Sequence, residues 1–213
     1  MTMTIQKNTQ TANPTAATAK FLSASIGVFL LAAGLYAGSS QAADYTIDPS
    51  HTYPAFEADH LGGVSKWRGK INKIDGTLSF DKAAKTGKVD VTMQMATIDF
   101  GFEKMNEHAI GPDIFDTQMF PTAQFVSDSF VFKGDKLVSV PGKLTLKGVT
   151  KPVTLKVNEF KCTMHPFAKR EVCGADAEAV INRADFGVDY GVKMGFKPEV
   201  KLLISIEAIK NPS

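Results

Sequence analysis

The side chains best suited to acid–base or metal chemistry in this chain are four histidines, His51, His60, His108 and His165. Imidazole is the commonest metal ligand in proteins, so a convergence of His51 and His60 with His108 would create a transition-metal site. None of the four stands two or four residues from another suitable ligand, and isolated histidines more commonly serve as hydrogen-bond partners. The sequence leaves both roles open.

The chain has only two cysteines, Cys162 and Cys173. Their spacing is too wide for a C-x-x-C redox motif, and no second pair of ligands accompanies them. In an exported protein two such cysteines form a disulfide, which for a loop of this size contributes about 3 kcal/mol by restricting the unfolded chain. We therefore expect a structural disulfide, with a metal pair or a redox couple as the alternatives.

Sequence signatures of catalysis are missing. The chain has no G-x-S-x-G elbow, no H-E-x-x-H helix, no Walker loop and no Rossmann glycine fingerprint. A triad assembled from distant residues leaves no mark in a sequence, because its members need only meet in space. We expect a protein without enzymatic activity and without a resident cofactor. The alternative is a metal-dependent enzyme or metal-binding protein that uses the converging histidines.

The segment Asp99–Phe125 is predicted to form a lid. Phe102, Met105 and Ala109 recur at helical spacing, which indicates a short amphipathic helix with one apolar face. Gly111 is predicted to end this helix in a left-handed conformation. Such a helix either covers an apolar cavity or plugs the end of a barrel as ordinary core.

The rest of the chain reads as short β-strands. Alternation is clearest at Val89, Val91, Met93 and Met95, whose apolar side chains share one face of a strand. Counting similar runs gives about eight or nine antiparallel strands, one of them over Ala123–Phe132, with turns at residues 75–76, 85–88, 133–135 and 147–152. The sequence thus predicts a mainly β protein, and a closed barrel is favoured because closure removes exposed strand edges.

Phe and Met are abundant, with 15 and 8 residues, and they concentrate near the predicted lid. Such side chains form either ordinary core or a pocket that accepts a flexible chain. His108, on the flank of the lid helix, is predicted to lie nearest the polar end of such a pocket. The residues predicted to line it are Phe56, Trp67, Met93, Met95, Phe102, Met105 and Phe115.

Residues 1–42 are predicted to be a secretory signal peptide. Lys20 leads into an apolar run over 21–36, which is shorter than the roughly 18 to 20 residues that a membrane span requires. Small residues at Ser40 and Ala42 predict cleavage after Ala42. A start at Met3 or an uncleaved anchor is the alternative.

Cleavage would leave one domain over residues 43–213. Removing Lys7 and Lys20 leaves 22 basic and 22 acidic residues, so this domain is formally neutral. Nucleic-acid binding depends on a basic surface that neutralises phosphates, and we therefore exclude that class of partner. The oligomeric state, including a dimer, stays open.

Five lysines cluster on and after the hairpin predicted around residues 144–157. Exposed strands commonly carry lysine to protect their edges, and this is the simpler interpretation. The alternative is transient contact with an anionic membrane surface, worth about 1 kcal/mol for each lysine. These residues are Lys143, Lys147, Lys151, Lys156 and Lys161.

Several motifs, in order along the chain, match one known family. They are Y-T-I-D-P-S-H at 45–51, H-L-G at 60–62, D-G-T-L-S-F-D at 75–81, F-P-T-A-Q-F at 120–125, G-K-L-T-L-K-G-V-T-K-P-V-T-L at 142–155 and R-A-D-F-G-V at 183–188. From Tyr45 onward the chain resembles the YceI-like family, which comprises bacterial periplasmic proteins that bind lipids or polyisoprenoids. The lid departs from the family pattern, which usually reads Arg-Asp, one residue, His-Leu, where this chain has Met105, Asn106, Glu107, His108 and Ala109.

The resemblance implies a closed, lipocalin-like antiparallel barrel that encloses an apolar tunnel in a periplasmic protein. It also implies a ligand with a long isoprenoid or acyl tail, and it does not imply catalysis. Together with the residue patterns, it predicts that the protein sequesters or carries one hydrophobic chain molecule. A third reading is an interaction module whose interior is filled by its own side chains.

Overall fold

The computed structural model describes residues 41–212. The predicted signal peptide and its cleavage after Ala42 fall almost entirely on residues outside this range. The described part is mainly β, with one α-helix, α1, at Glu103–Ile110. Its twelve strands are β1 Ala43–Ile47, β2 Tyr53–His60, β3 Ser65–Ile71, β4 Ile74–Asp81, β5 Thr86–Gln94, β6 Ile98–Asp99, β7 Thr122–Ser127, β8 Val131–Lys133, β9 Lys136–Leu146, β10 Val149–Met164, β11 Glu171–Asn182 and β12 Glu199–Lys210.

The strands form one closed antiparallel barrel of eight positions, which confirms the predicted fold class. The ring runs β1, β4, β5, β7, β9, β10, β11 and β12, and it closes where β1 pairs with β12. The strands β2, β3, β6 and β8 extend four of these positions. For example, β12 pairs with β1 through Ala208–Lys210 and with β2 through Val200–Ser205. These four strands continue the barrel wall past the ends of the shorter ring strands.

The apolar alternation of β5 determines which of its side chains point inward. Val91 is buried between β4 and β7, where it pairs with Gly76 and Phe125. On the opposite face, the carboxylate of Asp90 accepts a hydrogen bond of 2.8 Å from the Gln124 side chain. The strand therefore places apolar groups inside and polar groups outside, as its period of two predicts.

The turn between β9 and β10 is shorter than the sequence suggested. Only Lys147 and Gly148 connect the two strands, and both have positive φ, 48° and 75°. This is the pattern of a two-residue hairpin turn that matches the strand twist. Pro152, expected in the connection, lies inside β10, opposite Lys143 and before the part of β10 that pairs with β11.

Two other local predictions were wrong. The predicted turn at Asp75–Gly76 lies inside β4, where Gly76 allows close approach of the backbone. A Cβ there would clash with the Asp90 carbonyl oxygen and come within 3.0 Å of the Ile47 side chain. The single strand predicted over Ala123–Phe132 is divided into β7 and β8.

The lid helix begins and ends close to the predicted residues, but its end has another geometry. Gly111 has φ −71° and ψ 173°, so it leaves α1 in an extended conformation and not in the left-handed one. Ala109 is fully buried against Ile71, Met95 and Ala123, which confirms that α1 packs on the barrel.

Cys162 and Cys173 form the predicted disulfide, and they face each other across β10 and β11 with their Cα atoms 4.0 Å apart. The bond links neighbouring strands near the hairpin between them. Among residues 41–212, no helix combines the length and the apolar character needed to cross a membrane.

Candidate functional site

The barrel encloses an elongated cavity of about 460 Å³. Its wall is almost entirely apolar and is built from the inward-facing side chains of the barrel strands and of the lid segment. The volume lies within the roughly 300 to 1,000 Å³ of typical small-molecule sites. The interior of the described barrel is therefore not filled by its own side chains, and the third reading of the sequence was wrong.

Seven of the eight predicted site residues lie on the cavity wall: Phe56, Trp67, Met93, Met95, Met105, His108 and Phe115. Phe102 does not, because it precedes α1 as its N-cap and its side chain is 57% exposed. The apolar spacing includes Phe102 in the helix, whereas α1 begins at Glu103 and Phe102 has an extended backbone with φ −145° and ψ 109°. Met105, three residues on, faces the cavity instead.

An aromatic cluster closes the end of the cavity away from α1. Phe80 packs against Phe130, Phe132 and Phe160, with ring centroids 6.2, 6.3 and 5.3 Å away. Phe130 and Phe160 also line the cavity. Sequence reasoning missed these residues, because they come from three separate parts of the chain and only strand pairing brings them together.

Most polar lining residues lie at the opposite end, near α1, and the exception is Thr52, which is hydrogen-bonded to Glu207 of β12. His60 on β2 stacks on Trp67 of β3, with ring centroids 4.8 Å apart. His108 on α1 contacts the edge of Tyr190 at 4.8 Å. Tyr190 lines the cavity and is nevertheless 42% exposed, so the cavity reaches the surface beside it. We call this the open end.

Arg183 supplies the cationic group at the open end. Its Nη1 donates to the carbonyl oxygens of Val188 and Tyr190, at 2.7 and 2.8 Å, and thus holds the loop that carries Tyr190. Burial lowers the pKa of Arg183, while the charges of Asp189 and Asp59 act in the opposite direction. A guanidinium remains protonated under such conditions, so Arg183 keeps its positive charge beside the carboxylates of Asp59 and Asp189.

Asp99 and Asn106 fix the lid helix to the barrel. The Asn106 side chain accepts from the Phe100 N–H at 2.7 Å and donates to Asp99 at 3.1 Å. Hydrogen bonds from the Gly101 N–H, from Asn106 and from Asn72 lower the pKa of the Asp99 carboxyl. Asn106, which replaces a charged residue of the family pattern, therefore has a structural role at the start of the lid.

A lysine of the predicted surface cluster also holds the lid segment. The Lys147 ammonium donates to the carbonyl oxygens of Ile114 and Gly187, at 2.7 and 3.2 Å. Lys156 is paired with Glu178 at 3.0 Å. Two of the five lysines considered for membrane contact therefore have partners within the protein.

His51, His60 and His108 do not form a common metal site among the described residues, so their predicted convergence was wrong. His51 pairs with Asp48 at 2.8 Å, and His165 accepts two backbone N–H bonds within its own hairpin. His60 and His108 each pack against an aromatic ring. Within residues 41–212, no group of three His, Cys, Asp or Glu side chains is arranged to hold a metal ion.

The arrangement suits retention of an elongated apolar molecule. Apolar walls exclude water along the length of the cavity, and aromatic rings close one end. At the open end, imidazole, phenol and guanidinium groups can donate hydrogen bonds to a polar head group.

Comparison with known proteins gives a consistent result. The YceI-like domain model matches residues 45–208. A UPF0312 protein of Shewanella denitrificans is 35% identical over 176 residues, which cover 79% of this chain and 88% of that protein. Protein YceI of Escherichia coli O157:H7 is 36% identical over 177 residues, covering 82% of this chain and 91% of that protein.

Solved structures share the fold. BcnA of Burkholderia cenocepacia superposes with a TM-score of 0.64 at 24% identity, covering 76% of this chain and 98% of that one. A polyisoprenoid binding domain from Saccharophagus degradans gives a TM-score of 0.58 at 15% identity, covering 78% and 98%. From its sequence match and its barrel, we conclude that the chain belongs to the YceI-like family.

Proposed function

We propose that this protein binds and carries one long-chain hydrophobic molecule, a polyisoprenoid, an isoprenoid quinone or a fatty-acyl lipid, in the periplasm. The observation that carries the proposal is the apolar cavity of about 460 Å³, closed by aromatic rings at one end and polar at the other. The structural similarity to a domain described as polyisoprenoid binding supports the same class of ligand. The Cys162–Cys173 disulfide is in keeping with an oxidising compartment.

Burial of the tail provides the affinity. Each buried methylene contributes about 0.8 kcal/mol, so ten methylenes supply about 8 kcal/mol before the cost of ordering the ligand. This suffices for retention without strong recognition of the head group. We place the head group at the open end, near His60, His108 and Arg183.

We further propose that the protein acts by binding alone and not by catalysis, with transient contact at a membrane surface as the step that loads or unloads the cavity. A chain-like lipid is poorly soluble in water, so its exchange requires that the open end approach the bilayer. The formally neutral domain over 43–213 does not favour nucleic acid as a partner.

Native mass spectrometry of the exported protein, purified without a histidine tag and followed by organic extraction, tests the proposal. We expect an extra mass that extraction releases as a lipid or quinone. The proposal would be overturned if the protein carried no such mass and bound neither isoprenoid nor fatty-acyl probes. Elemental analysis of the same sample addresses the metal alternative, which stoichiometric zinc, copper or iron would revive.

A further inference from the structure

Two loops at the open end lie side by side and form one surface. They are residues 60–66, which comprise the connection between β2 and β3 with the adjoining strand ends, and residues 190–197, which precede β12. We call them the mouth loops. One oxygen of Asp59 accepts from the backbone N–H groups of Gly62 and Lys197, at 2.9 and 3.0 Å. A Cβ on Gly62 would come within 3.2 Å of the Gly195 carbonyl oxygen. The two loops are thus held together by a shared carboxylate and by close backbone packing.

The mouth loops adjoin the cavity. His60 lines the cavity and contacts the edge of Phe196, another lining residue, at 5.3 Å between ring centroids. One aromatic contact therefore connects the two loops on the inner side. A partner that contacts the outer side of the mouth loops would therefore lie next to the open end of the cavity.

The outer side of the mouth loops carries exposed apolar side chains. Leu61, Val64 and Met194 are 51%, 78% and 60% exposed, and none of them lines the cavity. Neither ligand retention nor packing of the barrel explains three large apolar groups on adjoining loops. Exposed apolar groups that are clustered in this way mark an interaction surface.

The lysines that accompany these exposed apolar groups indicate the kind of partner. The mouth loops contain three basic residues, Lys66, Lys193 and Lys197, and the acidic residues nearest to them in sequence are Asp59, whose carboxylate joins the two loops, Asp189 and Glu199. Lys66 pairs with Glu57 of β2 at 3.2 Å, and the other two lysines lie on the same loop as Met194. Apolar side chains next to lysines are the composition of a surface that enters the head-group region of an anionic bilayer.

A second exposed apolar pair lies elsewhere and provides a comparison. Met164 and Phe167, 63% and 89% exposed, occupy the hairpin between β10 and β11. This hairpin lies at the end of β10 away from the Lys147–Gly148 turn, whose lysine contacts the lid segment. The pair is therefore at the opposite end from the cavity opening, where contact with a bilayer would not bring the opening near lipid.

We propose that the mouth loops are a membrane-docking surface that inserts Leu61, Val64 and Met194 into an anionic lipid bilayer and so brings the open end of the cavity against the lipid. This inference rests on the proposed carrier function. It adds the partner, a bilayer with negatively charged head groups, and the element that contacts it.

Co-sedimentation of the mature protein with vesicles tests the docking surface. The vesicles contain phosphatidylglycerol and phosphatidylethanolamine, and vesicles of phosphatidylcholine alone serve as the uncharged comparison. The triple variant Leu61→Ser, Val64→Ser, Met194→Ser should bind the anionic vesicles at least about tenfold more weakly. Replacing Lys193 and Lys197 with Gln should weaken binding about fivefold for each lysine at low salt.

The double variant Met164→Ser, Phe167→Ser is the matched control, because it removes two apolar groups that are at least as exposed on average and lie at the opposite end. It should bind within about twofold of the natural protein. The proposal is overturned if the natural protein does not bind anionic vesicles, if the triple variant binds as well as the natural protein, or if the control variant loses binding. A dimer that the triple variant abolishes, together with no vesicle binding, would assign the mouth loops to a second copy of the chain.

Native mass spectrometry of the same variants separates this inference from the carrier function. None of the three substituted residues lines the cavity, so the triple variant should keep its ligand. Ligand in the protein without vesicle binding would refute docking alone. Vesicle binding by a protein that never carries a ligand would refute the carrier function alone.

Discussion

Met93 lies near the end of β5, and its side chain is part of the cavity wall. Its neighbours across the sheet are Ile74 on β4 and Ala123 on β7, both buried and apolar. The thioether therefore meets only apolar surroundings and whatever molecule occupies the cavity. A charged side chain at this position would have no ionic partner nearby in the wall. It would therefore lower the affinity of the cavity for an apolar ligand.

Met93→Asp should reduce ligand retention more than tenfold, because a carboxylate in an apolar wall either loses hydration or brings water into the cavity. The amount of extractable lipid per mole of protein measures the effect. Lys88→Asp is the matched control, since Lys88 is exposed on the outer face of the same strand. Equal lipid content in both variants would contradict the assigned face of β5.

At the scale of elements, α1 is attached to the barrel through a small polar network. Asp99 at the end of β6 accepts from the Gly101 N–H at 2.7 Å and from Asn106 at 3.1 Å, and Asn106 lies in the first turn of the helix. Residues 99–101 thus hold the start of the lid in place. Part of the attachment of the lid therefore depends on the ionisation of the half-buried Asp99 carboxylate, beside the apolar packing of Ala109.

Acid should loosen α1 before it unfolds the barrel. The hydrogen bonds from Gly101, Asn106 and Asn72 lower the folded-state pKa of Asp99 below its ordinary value of 3.8. The stabilisation is therefore fully present above about pH 4 and is lost as the pH falls through the lower folded pKa. Amide chemical shifts of α1, followed by NMR from about pH 6 to about pH 2, report the change. Asp99→Asn should abolish this acid response, and a response that persists in the variant would assign it to another group.

The hairpin of β10 and β11 depends on its disulfide. Cys162 and Cys173 are direct cross-strand partners, and the loop between them carries the exposed hairpin tip. Replacing both cysteines with alanine should lower the free energy of unfolding by about 3 kcal/mol, because the unfolded chain regains the entropy of the open loop. Denaturant unfolding under oxidising and reducing conditions measures this. The natural protein should lose stability on reduction, whereas the variant should not respond.

At the scale of the whole molecule, sequence patterns predicted the barrel and much of its wall, because alternation and turn residues are local properties of the chain. The inward face of β5 follows directly from the spacing of Val89 to Met95. The aromatic end of the cavity could not be predicted, since Phe80, Phe130 and Phe160 meet only through strand pairing. Phe102 was misplaced because apolar spacing does not determine at which residue a short helix begins.

The central cavity also affects the stability of the whole barrel. Side chains around a cavity lack the contacts that close packing supplies, and a bound apolar molecule restores them. A ligand that binds only the folded protein stabilises it by about 2.7 kcal/mol at a concentration one hundred times its Kd. For a domain of this size each kcal/mol shifts the melting temperature by about 2 to 4 °C.

Removal of the ligand by organic extraction and refolding should therefore lower the melting temperature by about 5 to 10 °C, and adding back the extracted lipid should restore it. Differential scanning calorimetry of loaded, stripped and reloaded protein makes the measurement. Met93→Asp, already deprived of ligand, is the control and should melt at the same temperature before and after extraction. If the ligand-free natural protein had the same melting temperature as the loaded protein, the ligand would make no contribution to the stability of the fold. The barrel would then be stable without a ligand in its cavity.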